Sequence, residues 1–156
     1  MAEYITREGM AHIQRKMQRL IKERPEVVRR VQIAREMGDL SENAEYKAAR
    51  EEQRNIENEY NHLKSRVEVL QVIDTDAIPK DAIRFGARVT MEELSTNQTL
   101  KIRMVGTDEL IESDDGYERR SVNSPFGRAL IGKKVGEIAT VKAPIGMRKF
   151  KILDIK

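Results

Sequence analysis

The sequence contains no cysteine, no tryptophan and only two histidines, His12 and His62. Without cysteine there is no disulfide, no thiolate nucleophile and no Cys-ligated zinc, and two isolated imidazoles argue against a His-rich metal site or a His-based triad. Any chemistry must come from carboxylates, Lys/Arg and hydroxyls. No apolar run approaches the ~20 residues of a membrane span, and the first ten residues, with Glu3, Arg7 and Glu8, have no signal-peptide core. A soluble, cytoplasmic protein without a membrane partner is expected. Aromatics make up only 4% of the 156 residues, too little for one thick globular core, whereas charged residues reach 35% and hydrophobics 39%. That balance points to a long, solvent-bathed helical element beside a smaller folded unit.

The net charge of +3 conceals a pattern. Residues 7–35 carry nine basic and three acidic side chains, whereas residues 36–76 carry five basic and eleven acidic ones. Two adjacent segments of opposite charge, +6 and −6, suggest helices lying side by side. A duplex-DNA binder would be more uniformly basic.

Hydrophobic spacing supports the pairing. Met10, Ile13, Met17, Leu20, Val27, Val31 and Ala34 follow the alternating three- and four-residue steps of a coiled-coil seam, with Arg24 in the remaining slot. Tyr46, Ala49, Gln53, Ile56, Tyr60, Leu63, Val67 and Leu70 do the same. Folding the chain about Leu40 matches all eight slots, from Ala34 against Tyr46 to Met10 against Leu70. The spacing therefore predicts an antiparallel hairpin with a seam ~36 Å long at 1.5 Å per residue. Pro25 is expected to kink or briefly break the first helix. Gly38 is placed to stop it in a left-handed conformation, and Asp39 or Ser41 to cap the second helix.

Asp39 and Glu42 admit two readings. Asp39-x-x-Glu42 has the form of a capping box, with carboxylates favoured near a helix N-terminus. The same two oxygen ligands, on a narrow tip, suit a weakly held Mg²⁺ that keeps its waters. Two carboxylates alone make a poor Mg²⁺ site, so the second reading needs a partner to complete the coordination.

Asp74 to Asp81 breaks the heptads and reads as a linker, giving domains at 1–76 and 77–156. Beyond it lie strand-like runs at 87–91, 100–105, 138–143 and 148–155, with turn residues between them. Ser124-Pro125 reads as the start of a short helix and Gly132 as its end. Gly132-Lys133-Lys134 lacks the remaining features of a phosphate-binding P-loop.

Two stretches resemble a known family. Arg35-Glu36-Met37-Gly38-Asp39-Leu40-Ser41-Glu42-Asn43-Ala44-Glu45-Tyr46, continuing to Glu51, resembles the tip motif of the bacterial GreA/GreB transcript-cleavage factors in its GreA-like form. About 80 residues on, Ser121-Val122-Asn123-Ser124-Pro125 and Arg128-Ala129-Leu130-Ile131-Gly132-Lys133 are similar to the family's C-terminal signature. Phe126-Gly127 departs from it, since an aliphatic residue and Ala are more usual there, and Gly inside a helix costs up to ~1 kcal/mol.

The resemblance implies an α+β protein, with an N-terminal antiparallel two-helix hairpin and a C-terminal FKBP-like antiparallel sheet with one short helix. It implies a monomeric factor that is not itself an enzyme. Such a factor binds bacterial RNA polymerase, enters the secondary channel with its hairpin and stimulates the polymerase's own Mg²⁺-dependent cleavage of backtracked RNA. Asp39 and Glu42 then become the catalytic and metal-holding pair, sharing Mg²⁺ with the polymerase. Arg35 and Arg50 would contact the 3′ end of the extruded RNA, while Ser121, Asn123, Ser124 and Pro125 dock on the polymerase. Tyr46 is assigned to the seam rather than to base stacking. A channel-blocking regulator and a plain coiled-coil adaptor are the competing readings; the tip carboxylates disfavour the first and the second motif disfavours the latter.

Overall fold

The structure, a computed structural model, describes residues 3–38 and 43–156. It divides into two compact units, one formed by Met10–Leu70 and the other by Met1–Gly9 with Gln71–Lys156.

The first unit is the helical hairpin. Helix α1 spans Arg7–Arg35 and α2 spans Ala44–Val69. Every seam position inferred above is buried or half-buried except Arg24. Leu20, Val27 and Ile56 form the central cluster, flanked by Tyr60 and Leu63. Arg24 is exposed and reaches Glu57 at 3.6 Å, which keeps its charge hydrated. Lys16–Glu59 and Arg30–Glu52, each at 2.7 Å, also join the basic helix to the acidic one. These exposed pairs each contribute about 0–1 kcal/mol, so they set partner and register more than stability. The expected break at Pro25 is absent: α1 continues through it. Pro25 deletes one backbone donor on an exposed face, while Leu20 and Val27 hold the helix to its seam on either side.

The second unit is a five-stranded sheet with a short helix. Its strands are β3 (Arg88–Glu93), β4 (Thr99–Val105), β5 (Glu118–Ser121), β6 (Ile138–Ala143) and β7 (Gly146–Ile155), and α3 is Pro125–Leu130. The order is β5-β4-β3-β7-β6. In β3 the alternation buries Val89, Met91 and Glu93, and the apolar pair Val89 and Met91 joins Ile102, Met104, Phe150 and Ile152 beneath Leu130 of α3. The α+β class holds, with one correction: the sheet is mixed, because β5 runs parallel to β4. A long connection through residues 106–117 separates these strands and lets the chain return in the same direction, which a tight hairpin forbids. Strand β5, Glu-Arg-Arg-Ser, is a charged edge strand with little hydrophobic signal of its own.

Residues 3–9 and 71–76, on the hairpin side of the 76/77 boundary in sequence, belong to the compact unit of the sheet. Strands β1 (Glu3–Ile5) and β2 (Leu70–Val72) pair with each other. Thr6 is buried, and its hydroxyl accepts the Gly9 N–H at 3.0 Å, capping the start of α1. The Thr6 N–H and hydroxyl in turn donate to the buried Glu109 carboxylate at 2.9 and 2.6 Å. The stretch read as a linker contains a 3-10 turn at Thr75–Ala77, capped by Asp74.

The loop before β5 carries a pH-sensitive contact. Asp115 accepts hydrogen bonds from Arg119 at 2.7 Å and from the Tyr117 N–H at 3.0 Å. Chiefly through the Arg119 bond, its carboxyl is lowered from 3.8 to about 2. A depressed folded-state value contributes stability above the unfolded value and loses it as pH falls through the folded one. Wild type is therefore expected to exceed Asp115→Asn in thermal stability above pH ~4, with the gap closing by pH ~2. Melting curves across that range check it; a pH-independent gap would assign the difference to packing.

Candidate functional site

The described end of the hairpin is built from the last turn of α1 and the first turns of α2. Helix α1 finishes at Arg35, after which Met37 N–H donates to Ala34 O at 3.2 Å. Gly38 follows with φ 130°, a conformation that disfavours a side chain. It lies beyond the two turn residues Glu36 and Met37 instead of directly stopping the helix. Asp39 and Glu42 lie outside the described residues.

The cap of α2 is Asn43, not Asp39 or Ser41. Its side-chain oxygen accepts the Tyr46 N–H at 3.1 Å, and Ala44 is the first helical residue. The same side chain donates through Nδ2 to Ala34 O at 2.9 Å. One amide thus satisfies a donor at the start of α2 and an acceptor at the end of α1. The helix cap that offered a purely local explanation for Asp39 is supplied elsewhere.

Arg35 and Arg50 occupy opposite helices. The Arg35 guanidinium stands 5.9 Å from the centroid of the Tyr46 ring, a cation–π distance. Arg50 donates through Nη1 to Gln53 at 2.7 Å. Both contacts are neutral, and among the described residues no carboxylate is paired with either arginine. Tyr46 is half-buried, in keeping with its place in the seam.

The Ser121-to-Pro125 segment is a tightly bonded corner. Ser124 Oγ donates to Ser121 O at 2.7 Å and accepts the Gly127 N–H at 3.0 Å, capping α3 with Pro125 in its first turn. The Asn123 N–H donates to Ser121 Oγ at 3.1 Å. Ser121 is only 7% exposed, so its role is to shape the corner, while Asn123 and Pro125 are exposed. Gly127 has a packing reason: a Cβ there would lie 2.0 Å from Ser121 O. The expected helix penalty is therefore set against a close backbone approach that any side chain would obstruct.

Beside Asn123, Tyr4, Phe85, Val122 and Ile131 line a groove, and the rings of Tyr4 and Phe85 are 6.1 Å apart. Val122 and Ile131 fall within the C-terminal signature, whereas Tyr4 and Phe85, which sequence reasoning did not connect to it, lie far away in the chain and outside that motif. Among the described residues no group of three or more His, Asp or Glu could hold a metal, and no helix is long and apolar enough to cross a membrane.

These features define a class: a charged helical hairpin closed by an amide bridge, accompanied by a small mixed-sheet domain. The chain belongs to the GreA/GreB family of transcription elongation factors. Residues 3–72 match the family described as "Transcription elongation factor, N-terminal", and residues 78–156 match "Transcription elongation factor, GreA/GreB, C-term". The chain is 40% identical over 153 residues to transcription elongation factor GreA of Neorickettsia sennetsu, covering 97% of this chain and 94% of that protein. It is also 40% identical over 152 residues to GreA of Thermodesulfovibrio yellowstonii, with coverages of 97% and 94%. Among solved structures, GreA factor homolog 1 (Gfh1) of Thermus thermophilus is 22% identical with a TM-score of 0.46, across 100% of this chain and 99% of that one.

Proposed function

We propose that this protein binds RNA polymerase, extends its hairpin into the secondary channel and stimulates the polymerase's intrinsic cleavage of backtracked RNA. The observation that carries the reading is the match to the transcription elongation factor family over residues 3–72 and 78–156; it is supported by the capping of α2 by Asn43, which gives to another residue the cap that Asp39 was expected to supply. The family motif assigns the chemistry to Asp39 and Glu42.

The donor set fits a hard divalent cation. Asp39 and Glu42 offer carboxylate oxygens but too few for an octahedral ion, so polymerase carboxylates must complete the site. When bound, Mg²⁺ in a two-metal arrangement activates water and stabilises charge on the attacking and leaving oxygens. Asp39 serves chiefly to hold the ion, and Glu42 holds the ion or orients water. Arg35 and Arg50 meet the extruded RNA through its phosphates, and Asn123 and Pro125 supply the exposed part of the docking corner. The protein acts as a monomer in the cytoplasm, where its polymerase works.

The test uses a stalled, backtracked polymerase complex with 3′-extended RNA and Mg²⁺. Wild-type protein is expected to accelerate release of short 3′ fragments, whereas RNA cleavage by the protein without polymerase would refute the cofactor role. A further expectation concerns RNA length. Losing one charge-assisted phosphate contact through Arg50→Ala should weaken action on long extruded RNA by about tenfold and on short RNA much less. An unchanged length dependence would remove Arg50 from the RNA path.

A further inference from the structure

We infer that Asn43 is a positioning residue for the acidic tip, acting as a clamp between the helices in addition to capping α2. This rests on the functional reading above, and it assigns the geometry of that site to a residue outside the carboxylate pair. Capping α2 requires only an acceptor, which Asn43 provides to the Tyr46 N–H at 3.1 Å. The second bond, from Asn43 Nδ2 to Ala34 O at 2.9 Å, contributes nothing to the cap. It ties the last turn of α1 to the residue that immediately follows the acidic segment.

The setting gives this bond weight. Ala34 is 4% exposed, so its carbonyl has little access to water. That oxygen also accepts the Met37 N–H at 3.2 Å, which turns the chain out of α1. The Asn43 backbone carbonyl accepts the Lys47 N–H at 3.1 Å as α2 begins. Both ends of segment 39–42 are thereby referred to one planar amide, with acceptor and donor used in opposite directions. A carboxylate pair completing a partner's metal site must arrive with a defined position, because a displacement of about 1 Å at a reacting centre costs on the order of 100-fold. Without the clamp, the cap would persist but the exit from α1 and the entry to α2 would vary independently.

Serine separates the two roles. It is a comparable N-cap for Tyr46 but is too short to span to Ala34 O. Asn43→Ser should lower the melting temperature by only a few degrees and retain polymerase binding by competition and slow hydrogen exchange at Tyr46 and Lys47. Exchange at residues 36–38 should rise by about tenfold as the α1 end frays. In the stalled complex, cleavage at low Mg²⁺ should fall about 10- to 100-fold, with a higher Mg²⁺ concentration required for half-maximal rate. A purely structural cap would not shift that requirement. Asn43→Ala, which removes both bonds, should additionally speed exchange at Tyr46. Unchanged exchange at 36–38 in Asn43→Ser overturns the clamp, as does wild-type cleavage by that variant when Asp39→Ala is inactive. Full activity of Asp39→Ala instead overturns the metal-holding role, and the exchange comparison still decides whether the clamp exists.

Discussion

Asp39→Ala is expected to lower stimulated transcript cleavage by on the order of 100-fold at saturating protein while polymerase binding survives. The separation follows from the chain's organisation. The groups assigned to docking lie at 121–125, in the sheet unit, whereas Asp39 falls in the sequence between α1 and α2. The stability loss should be small, because the cap of α2 and the clamp to Ala34 are made by Asn43. Glu42→Ala should behave similarly, and the double substitution should add little if the two carboxylates act on one ion, since groups that work as a unit are not additive. Raising Mg²⁺ should partly restore either single variant by mass action on the weakened site. Single-turnover cleavage in a walked, backtracked complex, with a binding competition alongside, measures all of this. Wild-type rates after removal of both carboxylates would sink the metal-holding mechanism.

The second large effect is structural. Glu109→Ala is expected to destabilise the sheet unit by about 3 kcal/mol and lower its melting temperature by about 15 °C. Glu109 is 4% exposed, yet its two oxygens receive the Thr6 N–H and hydroxyl at 2.9 and 2.6 Å, across 103 residues of sequence. Hydrogen bonds to a charged acceptor contribute about 1.5–3 kcal/mol, and the alanine variant would leave the buried Thr6 donor without its partner. The approach is close enough to require a glycine: a Cβ on Gly9 would fall 2.5 Å from Glu109 Oε2 and 2.8 Å from Ile5. Gly9→Ala should therefore be destabilising too, and less than additive with Glu109→Ala because both act on one contact. Denaturant unfolding of the four proteins gives the cycle. A loss below about 0.5 kcal/mol for Glu109→Ala would show that water replaces the carboxylate without cost.

How much was legible depended on the range of the interaction involved. The hairpin was readable because a seam is a local, periodic pattern repeated in two segments: Leu20, Val27 and Ile56 are buried for the reason their spacing implies. The start of α3 was readable because Ser124 and Pro125 act on their immediate neighbours. Where a local rule had several candidates, it misassigned the residue. Asp39, Ser41 and Asn43 are all competent caps, and Asn43 serves because its amide can also reach Ala34. Pro25 was expected to kink or briefly break α1, but the helix runs through it without a break, held by burial along the seam on either side. The charged strand β5 had no pattern to reveal it, since an edge strand depends on its neighbour β4 for pairing.

For the site, the motif named Arg35, Asp39, Glu42 and Arg50, and it did so through their order along a short stretch. It did not reveal that Arg35 lies near the Tyr46 ring, that Ser121 is buried, or that Tyr4 and Ile131 stand beside Asn123. The absences in composition had already confined the chemistry to carboxylates and cations, and periodicity had confined the first half to paired helices. Those properties belong to the sequence because they depend on residue type and on contacts a few positions apart. Only the tertiary structure decided the Thr6–Glu109 contact, the parallel edge of the sheet, the need for Gly127 and the Asn43 bridge. Each depends on directional hydrogen bonds or close atomic approaches whose partners are set by the completed fold.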